Sequence, residues 1–512
     1  MISREGLQPA RDSARRFVER HGWTMVVLFC VAIICWRQLH RGHAWGDDFA
    51  LYVRQAQSVL NGNIGQVISD THFAVDNSPT AFSPYVYPWV WPLMLAPFIR
   101  LIGIDYERLK LIEIACFCGF LFVFHELIRR RAPRWVALGV IASMGTTVAY
   151  IVHTDHLLSE FPFLLSIALT LWWLDRCAGA GKLDLASRRH LMVLGLLAVA
   201  VFNIRREGLA IVPAIAALQL MDLRGRWRAV EWKQVLTPYV TFVGGVVFFQ
   251  LLLPSALAPE YSQGGLGTVW QKFTGPYRAT FTDQLGLPKL EGIWFALLLL
   301  LVVAGIVVRL WRATRQDLPW VVFALGAIVI VGSAPNPSLR YLMAITPFGL
   351  YFAAQALANI PLPFPQQRLR NAGLVAVVAL AALTVYHLPK VQDRLDLVAQ
   401  RRANGTDMAD GPEMPYVQKA WAALDTYTHQ DDIVAFWKVR AMGLYTRRRG
   451  VQTTSRQVIE QRADYYLMKK GQEQYQFLVS VPDGESFGWS VVWEDDRWVL
   501  WKIPPFNEVP SP

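Results

Sequence analysis

The chain has 512 residues, of which 54% are hydrophobic and only 17% charged, and its formal net charge is +11. The apolar residues fall in blocks long enough to cross a bilayer, which excludes a soluble globular enzyme and reads as a polytopic membrane protein. Arg and Lys sit in short clusters between those blocks, so the basic balance sets topology, with membrane lipids as secondary partners and no nucleic acid implied.

Arg11, Arg15, Arg16 and Arg20 precede the first apolar block, 23–39. No small-residue cleavage site follows it. The block therefore reads as an uncleaved signal anchor with residues 1–22 in the cytoplasm. A short gap then leads to Asp47-Asp48. Two adjacent carboxylates beside a span are costly unless the aqueous face uses them. They repel, which raises one pKa and favours a shared proton or a bound cation. The alternative is capping: Asp47 as N-cap, and Asp48 favoured by the dipole of a helix over 49–60.

The first exoplasmic loop spans 40–108. Within it, 85–104 is apolar but punctuated by Pro88, Pro92 and Pro97, with Pro84 just before it. Counting it as a span inverts the charge pattern downstream, so it reads as an interfacial or re-entrant element with Tyr85, Tyr87, Trp89 and Trp91 in the headgroup layer. Spans follow at 109–128, 135–152, 161–174, 191–203, 208–221, 235–253, 293–308, 320–334, 341–359 and 372–388. Arg-rich turns mark the cytoplasmic side throughout, which predicts about eleven transmembrane helices and a tail opposite the N-terminus. The second exoplasmic loop, 254–292, holds Gly264-Gly265, Lys272, Tyr277 and Arg278. Its glycines lack the strand-turn-helix context of a nucleotide site. Beyond 389 the long apolar runs stop. Residues 389–512 read as a small exoplasmic α/β domain, with strands at 433–437, 477–481, 491–493 and 498–503, helices at 417–428 and 455–470, and a linker at 401–415. The five cysteines lie outside the long exoplasmic segments, so no disulfide framework is implied.

His153, Asp155, His156 and Glu160 cluster between two spans. With Asp47 and Asp48 they suit a divalent cation, or simply cap a wet turn. Five cations fall on the exoplasmic side against the usual bias: Arg205, Arg206, Lys272, Arg278 and Arg340. Arg forks match phosphate geometry; the alternative for each is snorkelling.

The run Gly46-Asp47-Asp48-Phe49-Ala50-Leu51-Tyr52, followed by Tyr85-Val86-Tyr87-Pro88 and Pro92-Leu93, resembles the opening of the C-type membrane glycosyltransferases. The likeness is greatest to the bacterial branch related to protein O-mannosyltransferases and lipid A aminoarabinose transferase. Ser159-Glu160-Phe161-Pro162, Arg205-Arg206-Glu207-Gly208 and Arg340-Tyr341-Leu342 with Pro347 resemble further family segments, over about residues 20–390 in layout. The family's acid pair is often Asp-Glu, where this chain has Asp-Asp. The resemblance implies a transmembrane catalytic module over 23–388 that takes a sugar from a polyprenyl-phosphate donor in the bacterial inner membrane. The acceptor would be an envelope glycan, lipid or protein on the periplasmic face. It further implies Asp47 as general base, Asp48 and Glu160 as supporting acids, and Arg205, Arg206, Lys272, Arg278, Arg340, Tyr87 and Asp155 as substrate or phosphate contacts. No cofactor is implied, since this branch is regarded as metal-independent. Two other classes stand beside this reading. A secondary transporter or flippase is disfavoured by the scarcity of charges inside the spans and the lack of paired broken helices. A membrane-anchored binding protein would not need eleven spans.

Overall fold

The computed structural model describes residues 4–79, 84–179, 181–228, 230–256, 266–278, 285, 292–334, 338–360 and 373–505. Six of its helices are long and apolar enough to cross a membrane. They are the Arg16–Arg37 part of α1 (Arg4–Arg37), Tyr106–Arg129, Glu160–Gly179, Trp232–Leu252, Ile293–Ser333 and Leu374–Ala403. The longest, Ile293–Ser333, contains a non-helical residue at Ala313 and is two helices joined at a kink. That kink falls between the expected spans 293–308 and 320–334, where Arg309, Arg312 and Arg315 cluster.

Between these lie shorter helices. The expected span 135–152 is interrupted: Arg134–Gly145 and Val148–His153 are separate helices. Thr146 and Thr147 bond back to the carbonyls of Ala142 and Ser143, at 2.9 and 2.7 Å, and so compete with the helical ladder at the break. Arg188–Ile204 is capped by Ser187, which accepts from the His190 N–H. The helices Ile211–Leu223 and Thr346–Ala358 each follow a 3₁₀ turn, Arg206–Ala210 and Leu339–Ala344. Those two turns carry Arg206 and Arg340. The bundle core is aromatic in its centre, where Phe124, Trp320, Phe348 and Tyr351 pack ring on ring. Each such side chain contributes about 1.5–3 kcal/mol by burial.

The first loop forms three helices: α2 (Asp48–Asn61), α3 (Ile64–Asn77) and α4 (Val90–Ile102). Helix α2 ends at Gly62, whose φ of 71° closes the last turn onto the Ser58 carbonyl, a conformation that favours glycine. At 13 residues α4 is about 20 Å long, short of a hydrocarbon core of about 30 Å. It lies against α2, burying Trp91, Leu95 and Ile99 against Phe49, Tyr52 and Val53.

The helix Leu374–Ala403 runs unbroken through Pro389. The segment expected to be a linker is pinned: the Arg41 N–H donates to the Asp407 carbonyl at 3.2 Å, and the Trp45 N–H to that of Asp410 at 2.9 Å. A five-stranded sheet follows, in the order β2-β1-β3-β5-β4. Strands β1 (Val434–Ala435), β2 (Gly450–Val451) and β3 (Tyr465–Lys469) are parallel, while β4 (Ser490–Glu494) and β5 (Trp498–Lys502) form an antiparallel pair beside β3. Two expectations fail here. The predicted helix 455–470 stops at Arg462, and its second half is β3, buried on both faces. The predicted strand 477–481 is not a strand: Ser480 caps a short helix, Val481–Ser486, with Pro482 in its first turn. The sheet unit is fastened to the first loop by Asp70, which accepts from Arg54 at 2.5 Å and Arg449 at 2.9 Å.

Candidate active site

The residue Asp47 is the N-cap of α2, yet its side chain makes no capping bond. One carboxylate oxygen faces Lys438 at 3.3 Å; the other, Oδ1, is buried with no hydrogen-bond partner among the described residues. Capping therefore does not account for it. The first residue of α2, Asp48, is fully engaged. Its Oδ1 accepts from the Tyr87 hydroxyl at 2.5 Å, and its Oδ2 accepts from the Arg340 guanidinium. Burial alone would raise the Asp48 pKa, but Arg340 and Tyr87 outweigh it and hold the carboxyl at about 2. The neighbours are thus electrostatically distinct: one locked and ionised, the other with a free oxygen.

A belt of charge extends from Asp48 across three helix starts. The Arg340 Nε lies 3.6 Å from Glu160, which opens its transmembrane helix. Glu160 Oε1 also accepts from Arg205 at 2.7 Å, while its Oε2 is buried and unpartnered. Arg205 donates to Glu207 at 2.9 Å and to the Ser159 hydroxyl at 3.2 Å, and Ser159 in turn meets the Tyr52 hydroxyl at 2.9 Å. Burial works against the Arg205 charge, but Glu207 and Glu160 overcome it and raise its pKa. Burial works against the Glu207 charge too, but Arg205, with Arg340 behind it, holds that carboxyl below its ordinary value. A narrow cavity of about 10 Å³, room for one water-sized group, is lined by Glu160, Arg205, Glu207, Arg340 and Tyr341. It is not the wide hollow that a lipid-linked sugar needs.

The candidates thus divide. Asp47, Asp48, Tyr87, Glu160, Arg205 and Arg340 come together. Asp155 is engaged elsewhere: it accepts from Lys110 at 2.8 Å and from His40 at 2.7 Å, and Lys110 also binds the carbonyls of His40 and Gly42. This set fixes the chain entering Asp47. Burial opposes the Asp155 charge, but His40 and Lys110 lower its pKa to about 2. Arg206 contacts neutral Ser255, and its guanidinium is pushed down to about 10 by burial. Ser255 belongs to the chain entering the second loop. Its neighbours Pro254 and Ala256 accept from Trp89 and Val86, on either side of Tyr87. Lys272 Nζ is buried without a partner among the described residues, and Arg278 is exposed. The loop residues Tyr261 and Gly264-Gly265 lie outside the described residues. Among the described residues no group of three or more His, Cys, Asp or Glu side chains is arranged for a metal.

Three contributors escaped the sequence reading. Glu207 lies within the Arg205-Arg206-Glu207-Gly208 turn already singled out. Glu113 is a fully buried acid that binds the Leu158 N–H at 2.9 Å, just ahead of Ser159 and Glu160. Lys438 comes from the sheet unit, 391 residues from Asp47, and no local pattern marks it.

This arrangement has known counterparts in overall form. The crystal structure of apo ArnT from Cupriavidus metallidurans aligns with a TM-score of 0.52 at 12% identity, covering 96% of this chain and 100% of that one. The same protein bound to undecaprenyl phosphate aligns at 0.50 and 13% identity, over 94% and 98%. The chain has the fold of the C-type membrane glycosyltransferases. A third such structure, the apo oligosaccharyltransferase of Archaeoglobus fulgidus, aligns at 0.53 and 10% identity over 87% of this chain and 69% of that one. No protein-family model and no curated protein sequence matches the chain. The likeness to these glycosyltransferases is therefore one of fold.

Proposed function

We propose that this integral membrane protein is an inverting glycosyltransferase. It moves a sugar from a polyprenyl-phosphate-linked donor to an acceptor hydroxyl or phosphate at the exoplasmic, periplasmic face of a bacterial inner membrane. The observation that carries the reading is the asymmetry of the acid pair. Asp48 is locked by Tyr87 and Arg340, whereas Asp47 keeps a buried oxygen with no partner. Such an oxygen is costly to bury unless a donor arrives. An acceptor hydroxyl is such a donor. Asp47 takes its proton as the acceptor oxygen bonds to the anomeric carbon, and the anomeric carbon–oxygen bond to phosphate breaks with its electron pair. General-base assistance of this kind contributes about 10²–10⁴-fold.

The departing lipid phosphate needs cations that are not already neutralised. Arg205 and Arg340 are held by carboxylates. Among the described residues Arg206, Lys272 and Arg278 have no carboxylate partner, and Arg206, buried and depressed, is relieved by any anion that reaches it. The undecaprenyl phosphate bound to ArnT supports a lipid-phosphate donor. The reading takes about eleven transmembrane helices, with 254–292 covering the donor and 389–512 on the acceptor side.

The test is Asp47→Asn in cells whose envelope glycans are analysed by mass. One glycan should lose a single sugar increment, while the variant accumulates in the membrane at the normal level. An unchanged glycan profile overturns the assignment of Asp47.

A further inference from the structure

The soluble sheet contributes more than Lys438. Strand β1 connects to β2 on one side, and β2 returns to β3 on the other side of β1. The chain thus changes direction between β1 and β3. In open α/β sheets, the crevice beyond the carboxyl ends of strands at such a switch point is where ligands bind. The register places Val434 beside Tyr465 and Ala435 beside Tyr466. Trp437-Lys438, just past the end of β1, therefore lie beside Met468-Lys469, the last residues of β3, at that crevice.

What lies there is aromatic and cationic. Lys438 Nζ is 5.6 Å from the Trp437 ring and 5.2 Å from that of Tyr475. Lys469 Nζ is 5.8 Å from Trp437 and 5.5 Å from Tyr416. Among the described residues Lys469 has no carboxylate partner, and the one facing Lys438 is Asp47. Tyr475 holds a φ of 62°, one of two non-glycine residues in the left-handed region among those described, and it is 48% exposed. A Tyr kept at such a φ carries strain, which clusters at ligand sites. The helix Val439–Thr446 also begins at Lys438 and turns its N-terminal end to the same place.

Resting on the proposed transferase reading, we infer that this crevice is the acceptor subsite and takes an anionic saccharide, whose charged group meets Lys438 and Lys469 while a sugar face lies on the exposed ring of Tyr475; Trp437, buried in the core, is the floor that both lysines approach. An aromatic face suits the apolar face of a pyranose, and ammonium groups suit a phosphate or a carboxylate. A neutral acceptor leaves the two cations unanswered, and a bare anion leaves the Tyr475 ring unused. Because Lys438 also holds Asp47, an anion that draws off this lysine leaves that carboxylate without its cation as the acceptor docks.

The test is binding to the purified full-length protein in nanodiscs, followed by tryptophan fluorescence. The probes are maltose, maltose 1-phosphate and a glucuronic-acid-containing disaccharide. At least one anionic probe should bind about tenfold or more tighter than maltose, and which one does so distinguishes a phosphate-bearing from a carboxylate-bearing acceptor. Lys469→Gln should remove about tenfold of that preference, and Tyr475→Ser should weaken every probe. Asp47→Asn should bind the anion as well as or better than the parent, since Lys438 is released. Equal binding of maltose and both anions, no binding of any probe, or an anion preference untouched by Lys469→Gln overturns the proposal. Turnover is not measured, so transfer surviving in Asp47→Asn would refute the catalytic assignment and leave this result standing.

Discussion

Two ionic clusters sit at opposite ends of the bundle, and they are built to different standards. Glu160 and Asp175 lie on one helix, 15 residues or about 22 Å apart along its axis. At the Asp175 end, Arg131 uses all five of its N–H groups: two on Asp175 at 2.6 and 2.7 Å, one on Asp317 at 3.1 Å, and two on the carbonyls of Leu127 and Gln316. Asp317 is fully buried and accepts from Arg309 and Tyr351 as well. Two cations meet two carboxylates, and the set ties both arms of the kinked helix Ile293–Ser333 to its neighbours. At the Glu160 end, Asp47, Asp48, Glu160 and Glu207 face Arg205, Arg340 and Lys438, and two buried carboxylate oxygens have no partner. In the first network every carboxylate oxygen is engaged and the buried atom left over among the described residues is a donor, Arg309 Nη2; in the second the atoms left over are acceptors, poised for a donor that is not part of the chain.

The sharpest break in this comparison comes from Asp317→Ala. It strands the Arg309 guanidinium and takes from Arg131 one of its two carboxylates, and should cost about 3–5 kcal/mol of stability. A thermal scan of the detergent-solubilised protein checks it, since Tm should fall by several degrees, whereas Asp47→Asn should leave Tm within a degree. If both variants melt alike, the two clusters are not different in kind.

The next effect is on Arg340, whose fork reaches Asp48 and Glu160 together. Arg340→Lys keeps the charge but offers a single point donor, so one carboxylate loses its partner. Transfer should fall about 10–100-fold, mostly in kcat, with expression unchanged. Parent-like turnover would show that the fork does not position Asp48.

Much of this end of the molecule is legible in the chain: Asp48 stands out as half of an adjacent acid pair beside an apolar block, Glu160 as an acid opening another, and Arg340 as a cation against the expected charge bias, and in the structure the three meet. The sequence favours Arg206 over Arg205 as a phosphate ligand, but which of the two adjacent arginines turns toward Glu160 depends on the Arg206–Ala210 turn that follows, and it is Arg205. The Asp317 network was invisible: Arg131 and Arg309 read as topology signals, and nothing local tells a solvated arginine from a buried one. The sheet was read least well. Tyr465-Tyr466-Leu467-Met468, buried on both faces, has no alternation and passes for the end of the preceding helix. Lys438 follows a short strand and gains its meaning only when the sheet folds back on α2.

The smallest expected effect concerns Tyr87. Its hydroxyl is one of the two groups that hold Asp48 at about 2. A carboxyl with a depressed folded pKa contributes stability above its unfolded value of about 3.9, and that contribution is lost as pH falls toward the folded value. Asp48 therefore adds no slope between pH 5 and 8, and an acid limb in the transfer rate above pH 4 belongs to a different group. Tyr87→Phe removes one hydrogen bond, worth about 1 kcal/mol, and leaves Arg340 in place. Transfer at pH 7 should fall only about fivefold, because Asp48 stays ionised there. The loss of Tm on acidification should begin at the same pH as in the parent, near the unfolded value, but be smaller and end at a higher pH, because the folded pKa of Asp48 has moved up toward its unfolded value. Paired Tm and rate measurements from pH 3 to 7 check both statements. A hundredfold loss at pH 7 would mean that the Tyr87 hydroxyl touches the reacting sugars itself, and that the division of the acid pair into a fixed partner and a free base is wrong.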